Sequence, residues 1–470
     1  MDGTVLIDLG TIRHDQPEPE PPASRPGAPR FPRTGALALV GALVLAIGGG
    51  APPPPPPIEA ISTVQLTRDG AFYLTEEHLF VADWSGATEL EVAAYELEHG
   101  RPLWTSRHSG GTAPQVSRRP PVGVTVGGRL SVRPATDGLL LVEYASGEFG
   151  ASTHTLALDI RTGRTRWTLP HPLRVLPADR TGLVVDEVFP EHSRIGPGAR
   201  QAGRAAGSVR VSETGEVYLA DPLGVVARAV DLADGRVLWT SPRLDSALLA
   251  AHPDDGTASV LVLVDGRVEW WDARTGQPRH RLDHPRGAVR SVALFGDSVL
   301  IQHAGPGLTA YSPDLRRERW TRPLANADSR MVRCGPMICV DNGTSSPVLD
   351  PATGAELWRL PDQDGLYTLG GHLVDFDSYP WIRRVIDPRT GNTLLDLTGW
   401  SDATRFAQHS LPLLLRRNSS GRTWLGLLDV PARQVRLLGS VPEAVANCQA
   451  LPGMLTCRIS QNEIRLWHYR

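Results

Sequence analysis

The fold class predicted by this 470-residue sequence is all-β, a single ring of four-stranded sheets of the β-propeller type. Three observations predict it. A tryptophan-terminated segment recurs in the chain, as Glu96-Leu-Glu-His-Gly100-Arg-Pro-Leu-Trp104, Asp159-Ile-Arg-Thr-Gly163-Arg-Thr-Arg-Trp167, Asp231-Leu-Ala-Asp-Gly235-Arg-Val-Leu-Trp239 and Asp350-Pro-Ala-Thr-Gly354-Ala-Glu-Leu-Trp358. Degenerate copies keep the phase: Asp272 and Gly276 lead to His280, Ser312 and Arg316 to Trp320, Asp387 and Gly391 to Leu395, Asp429 and Arg433 to Leu437. The composition, with 47 glycines and turn signals throughout, is that of short strands and tight turns rather than long helices. A fixed period of about 40 residues is the size of one propeller blade.

Each element of the repeat has a physical reason. The run before the acid is apolar or alternating, as in Thr155-Leu-Ala-Leu158 and Val268-Glu-Trp-Trp271, which a buried strand requires. The acid accepts backbone N–H groups of the turn, and the glycine takes the positive φ that other residues resist. The residues after the glycine start the return strand, whose tryptophan supplies a broad surface for burial between sheets. Two more β-rich runs precede each anchor, for example Val292-Ala-Leu-Phe295 and Ser298-Val-Leu-Ile301 before Ser312, giving about four strands per unit. Steps between anchors from 231 onward are 41, 40, 38, 37 and 42 residues. The first two steps, 63 and 72, read as loop insertions in the same unit.

The segment Ala157-Leu-Asp-Ile-Arg-Thr-Gly-Arg-Thr-Arg-Trp167 resembles the strand-turn-strand signature of the pyrroloquinoline-quinone-like (PQQ-like, quinoprotein alcohol dehydrogenase-like) β-propeller repeats, and the resemblance spans about residues 60–470. It implies that Trp104, Trp167, Trp239, Trp320 and Trp358, with the turn glycines Gly100, Gly163, Gly235, Gly276, Gly354 and Gly391, dock each blade against the next. The alternative is coincidental Asp/Gly hairpins in an unrelated sandwich. The chain ends on Glu463-Ile-Arg-Leu-Trp-His468, with His468 39 residues past Asp429, so the last unit lacks its fourth strand. Ile61-Ser-Thr-Val-Gln-Leu66 is placed to supply it and to close the ring, leaving no open sheet edge. The anchors taken literally give nine blades. Because propellers run typically from four to eight, we take eight, with seven and nine as alternatives.

Residues 1–33 form a proline-rich polar tail too poor in apolar residues for a core. Residues 34–51 follow without a charge and read as a transmembrane signal-anchor at the short end of the spanning range. Arg25, Arg30 and Arg33 precede it and no arginine follows until Arg68, which puts the N-terminus in the cytoplasm and the propeller outside. The rivals are a cleaved signal peptide, disfavoured by the long leading segment and by Pro52, and a buried core helix. Residues 52–60 then form a polyproline linker, and 61–470 the propeller. The net charge of −3 carries no global basic character that would argue for nucleic acid. All 48 basic residues are arginine, which points to a GC-rich genome such as an actinobacterium's rather than to a ligand.

Cys334-Gly-Pro-Met-Ile-Cys339 and Cys448-Gln-Ala-Leu-Pro-Gly-Met-Leu-Thr-Cys457 each flank a hairpin turn, and Cys339 and Cys457 both lie 11 residues before an anchor. We expect the disulfides Cys334–Cys339 and Cys448–Cys457, consistent with an extracytoplasmic setting. Zinc is the rival, without a histidine at ligand spacing.

The resemblance implies two functional classes. Enzymatic members bind the quinone and an axial calcium. Asp341-Asn342 and Asp375-Phe-Asp377 are the candidate axial groups, with solvated loop carboxylates as the plainer reading. No adjacent cysteine pair, phosphate loop, HExxH helix or Ser/His/Asp pattern accompanies them, so no catalytic, cofactor-binding or metal residue is assigned. Non-catalytic members use the same blades as a docking platform. A membrane-tethered scaffold for an extracytoplasmic protein or cell-wall partner is therefore the favoured expectation, and a PQQ- and calcium-dependent dehydrogenase of alcohols or sugars the alternative. Arg194, Arg200, Arg204 and Arg210 form a basic loop for an anionic partner or a merely solvated one, and Thr4-Val-Leu-Ile-Asp-Leu-Gly10 is a weak cytoplasmic docking candidate.

Overall fold

Alternating strand chemistry has built a repeated, all-β architecture. A computed structural model describes residues 58–470 apart from internal stretches, chiefly 110–129, 147–151, 190–209, 212–216, 342–345, 361–364 and 405–409. The tail, the apolar segment 34–51 and the polyproline run lie outside the described residues, as do Arg194, Arg200 and Arg204. Among the described residues no helix is long and apolar enough to cross a membrane.

Seven separate four-stranded antiparallel sheets and one seven-stranded sheet follow the repeats. The seven-stranded sheet holds two units, because the strand Thr393–Asp402 runs on through Gly399, at φ +86°, until Ser401 and Asp402 pair with Leu415 and Leu414. Among the described residues the sheets divide into nine units, the literal count of the anchors and one of the alternatives to eight. The unit containing His468 has three strands of its own and takes its fourth from the N-terminal side, where Ile61–Leu66 was placed to supply it.

That last sheet carries the ring closure. Ile58–Gln65 pairs antiparallel with Glu463–Tyr469, joining Thr63 to Arg465 and Val64 to Ile464. The strand starts at Ile58, inside the segment assigned to the linker. Val64 and Leu66 pack with Leu74, Leu79 and Leu97 of the first unit and with Ile464 and Leu466 of the last. Gln449 completes the seam, accepting from the Leu74 N–H and donating to the Phe72 carbonyl.

The joint between units repeats around the ring. Trp104 Nε1 donates to the Ile160 carbonyl at 3.0 Å, Trp167 to Leu232 at 2.9 Å and Trp239 to Ala273 at 2.9 Å. Trp320 and Trp358 do the same to Pro351 and Pro388. In each case the acceptor is the residue after the next unit's acid. The indole also covers the next turn glycine: a Cβ at Gly163, Gly235, Gly276, Gly354 or Gly391 would lie closer than 3.0 Å to it. These glycines have φ between +67° and +74°, so backbone and packing both require the residue without a side chain. Gly100 is covered by Ser62, which takes the tryptophan's place on the closing strand.

The joint after His280 solves the same problem differently. At four joints the tryptophan lies opposite an alanine, Trp104 with Ala94, Trp167 with Ala157, Trp239 with Ala229 and Trp320 with Ala310, and at a fifth Trp358 lies opposite Val348. Here the large residue has moved one strand inward: Trp270 lies opposite His280, is fully buried, and donates to the Pro313 carbonyl at 2.8 Å. His252 fills the remaining space, its ring 5.2 Å from that of His280 and 5.0 Å from Trp270. The next turn, which has Arg316 at the glycine position, receives the Trp270 indole at its Pro313 carbonyl instead.

Both cysteine pairs are joined as expected. Each links the first and second strands of its unit, Arg330–Cys334 to Met337–Asp341 and Ala446–Leu451 to Met454–Arg458. They differ in register: Cys339 lies opposite Val332, so its bond to Cys334 is diagonal, whereas Gln449 opposite Thr456 sets Cys448 across from Cys457.

Candidate functional site

Antiparallel order gives each unit two ends. Hairpins between first and second, and between third and fourth, strands open on one face, which carries the acid-to-glycine turns. Second-to-third connections and the crossovers to the next unit lie on the opposite face, here called the crossover face. Both insertions read from the long steps enter on the crossover face. One joins Pro102–Ser109 to Ser131–Ala135, and the other joins Thr181–Val188 to Gly224–Asp231. The second contains a two-stranded hairpin in which Arg210 and Val211 pair with Tyr218 and Val217.

At this face the first three units contribute a continuous set of aromatic and charged side chains. Trp84, near the end of His78–Ser85, meets Tyr144 edge-on at 5.8 Å. Tyr144 stacks on His154 across the facing strand at 5.2 Å. His171 follows in the crossover, its carbonyl accepting from the Thr155 hydroxyl at 2.7 Å. An Arg228 guanidinium nitrogen lies 3.1 Å from His171 Nε2 and is also hydrogen-bonded to Asp186. Arginine has no acceptor, so it donates to Nε2, which places the imidazole proton on Nδ1. That nitrogen stands 3.0 Å from Asp186 Oδ1, but the two are misaligned and each lacks a hydrogen bond. Burial holds His171 below the ordinary histidine range and Arg228 lowers it further; burial and then His171 lower His154. With its Nε2 lone pair held by a guanidinium, His171 is arranged for recognition and anchoring rather than for taking a proton from a nucleophile.

The axial candidates are placed as follows. Asp375 is fully buried in His372–Ser378 and neutralised by two arginines, Arg383 at 2.8 Å and Arg384 at 2.8 Å. Asp341 ends its strand opposite Arg330. The side chains of Asp341 and Asp377, and all of Asn342, lie outside the described residues. A carboxylate clamped by two guanidiniums is the wrong donor for a calcium ion. The described residues therefore do not fit a calcium–quinone centre, and no reaction step is derived through one. Among them no group of three His, Cys, Asp or Glu is disposed to hold a metal.

The polar side chains near the crossovers have a structural role instead. Asp83 accepts from the Thr67 N–H at 2.7 Å, Glu143 from the Leu173 N–H at 3.2 Å, and Gln302 donates to the Ser329 carbonyl at 2.6 Å. Each clasps a chain passing between units. The crossover-face set of Trp84, Tyr144, His154, His171, Asp186 and Arg228 was not legible in the sequence, because three repeats contribute to it and none carries a local signature.

Comparison with known proteins agrees with this architecture. The PQQ_2 family described as outer membrane protein assembly factor BamB matches residues 222–365. A BamB of Alkalilimnicola ehrlichii is 29% identical over 147 residues, which is 29% of this chain and 37% of that protein. These matches support a PQQ-like β-propeller family. The chain thus spans little more than a third of that relative's length. Among solved structures, BamB from Moraxella catarrhalis aligns over 88% of this chain and 100% of its own at 12% identity, with a TM-score of 0.38. A structure described as the eukaryotic initiation factor aligns over 84% and 94%, at 13% identity and a TM-score of 0.50. The last shares the fold and nothing more is drawn from it.

Proposed function

We propose that this chain is a scaffold propeller whose crossover face docks a partner protein outside the cytoplasm, held at the membrane by residues 34–51. The observation that carries the docking reading is the grouping of both insertions with the Trp84–Tyr144–His154 stack and the Arg228–His171–Asp186 cluster on one face of the first three units. Rigid strands that present variable loops and aromatic and arginine side chains are the usual ground of protein recognition. The similarity to a BamB, an outer membrane protein assembly factor by name, supports the same class of role. The tether rests on the uncharged segment and the arginines that precede it. Two disulfides are in keeping with an oxidising compartment.

Cross-linking of the full chain in its native membranes, followed by purification and mass spectrometry, is expected to return one defined partner. Trp84→Ala is expected to reduce its recovery while the melting temperature stays within a few degrees, since Trp84 is partly exposed and makes an edge contact with Tyr144. Recovery of no specific partner, or the same recovery from the variant, would count against docking at this face.

A further inference from the structure

The hairpin of the eighth unit carries a second concentration of recognition chemistry. Its strands are Leu413–Arg417 and Thr423–Asp429, and the connection between them lies on the crossover face, with the ninth unit between it and the first unit of the site above. Arg416, Arg417 and Arg422 are exposed there. Among the described residues their side chains make no hydrogen bond or ion pair; only the Arg422 backbone N–H is engaged, by Asn418. Arginines elsewhere are commonly tied down, Arg319 to Asp297, Arg322 to Glu356 and Arg383 to Asp375. The hairpin's one acid, Asp429, lies at its far end on the opposite face of the unit, and the nearby Glu443, whose carbonyl accepts from Thr423, is paired with Arg465 at 2.6 Å.

Apolar surface adjoins these charges. Trp424 is 38% exposed and lies directly opposite Arg416 in the register. Arg416 reaches back over the preceding unit's last strand, its Nε 3.8 Å from where a Cβ on Gly399 would stand, and Trp400 packs beside Gly426. Trp381, which begins the third strand of the seventh unit, is 47% exposed at the same end. Trp400 packs across the joint between the seventh and eighth units, against Gly426, whereas Trp381 and Trp424 stand exposed.

We infer that this hairpin and the neighbouring Trp381 form a docking surface for an acidic protein segment that carries an apolar side chain. Arg416 shares one face of the hairpin with Trp424, Arg417 stands on the other beside Thr423, and Arg422 adjoins the tip, so an acidic segment meets guanidiniums on either side of the hairpin edge. They offer bidentate sites to carboxylates, and tryptophan and arginine are both enriched where binding energy concentrates. The tip of the hairpin selects peptide over bilayer. In sequence it reads Asn418-Ser-Ser-Gly421, which lacks the apolar residues that a lipid surface would take up. This surface extends the docking role proposed above and rests on it.

The test uses the full-length chain. A fluorescein-labelled peptide of aspartate and glutamate with a central phenylalanine is titrated at low and moderate salt, beside its lysine counterpart and phosphatidylglycerol vesicles. The acidic peptide is expected to bind and to weaken with salt, the lysine peptide not to bind. Charge reversal at all three positions (Arg416→Glu, Arg417→Glu, Arg422→Glu) is expected to weaken binding by about tenfold or more, and Trp424→Ala by less, with unchanged melting. Equal binding by the reversed variant overturns the proposal, as does preference for the vesicles. A photo-cross-linking residue at Ser419, and separately at Ser85, then distinguishes the two readings. A partner captured from Ser85 alone removes this surface but leaves the scaffold role standing, whereas capture from neither removes both.

Discussion

Gly163 and Trp104 form a single packing device divided between two repeats, and their chemistry explains which parts of the repeat vary together. The indole lies where a Cβ on the glycine would stand, and the glycine also has φ +67°. Where the tryptophan is replaced, as by His280 and Leu395, the glycine position of the next turn holds Arg316 and Arg433 instead. Gly163→Ala is therefore expected to destabilise by about 2–4 kcal/mol, combining left-handed strain with overpacking. Denaturant midpoints check this, and a loss below about 1 kcal/mol would mean that the joint yields easily. Titration supplies a second prediction at this scale. His171 has a folded pKa lowered by burial and Arg228, so the unfolded state binds more protons just below its own pKa of about 6.5. Its contribution is complete above that pH and is lost as pH falls towards the depressed folded value. Melting temperatures stepped downward from neutral pH should decline less steeply in His171→Gln than in the unmodified chain. Asp159 behaves as a carboxylate of the opposite utility: the Arg166 hydrogen bond, with help from Thr162, holds it at about 2, so its turn persists well into acid.

Strands and hairpins were the most legible elements, since the two-residue alternation and the Asp-to-Gly turns state both period and reversal locally. Val289–Phe295 and Ser298–His303 fall where Val292-Ala-Leu-Phe295 and Ser298-Val-Leu-Ile301 placed them. The continuous strand Thr393–Asp402 was not legible, because nothing in Thr398-Gly-Trp400 says whether a chain bends at glycine or breaks there. Nor was the inward shift from position 280 to Trp270, for the Trp-Trp pair reads simply as strand until the neighbouring carbonyl of Pro313 is in place. Asp375 was a candidate axial group by position alone, and only the fold brings Arg383 and Arg384 onto it. The cysteine hairpins were legible, since a short loop between two strands fixes its partners. Replacing Cys334 and Cys339, or Cys448 and Cys457, by serine pairs is expected to cost about 2–3 kcal/mol each by loop-closure entropy. Unfolding in denaturant of each double variant against the oxidised chain measures it. Equal stability of the variants and the oxidised chain would place the bonds' effect elsewhere.

For the whole molecule, the decisive contact joins the two ends of the propeller. Without Ile58–Gln65 the strand Glu463–Tyr469 would present an unpaired edge beside the buried side chains of Ile464, Leu466 and Trp467. The Gly100 turn would also lose Ser62, and the core of Leu74, Leu79 and Leu97 would lose Val64. An exposed edge next to apolar surface recruits another strand, from a second copy if no other is present. Deletion of residues 58–65 is thus expected to shift the chain in sedimentation towards larger species than the unmodified chain forms, with a lower melting temperature. A synthetic peptide of residues 58–65 supplied in excess should restore the sedimentation of the unmodified chain. A variant that sediments and melts unchanged would show that the ring holds by its lateral joints alone, and that the Trp104-type locks, rather than the closing strand, set the stability of the fold. The same strand leads directly back to the polyproline run and the uncharged segment 34–51. In the proposed tethered arrangement, any pull on the propeller therefore acts first on the hydrogen bonds between Ile58–Gln65 and Glu463–Tyr469, which makes this sheet the mechanical link as well as the topological one.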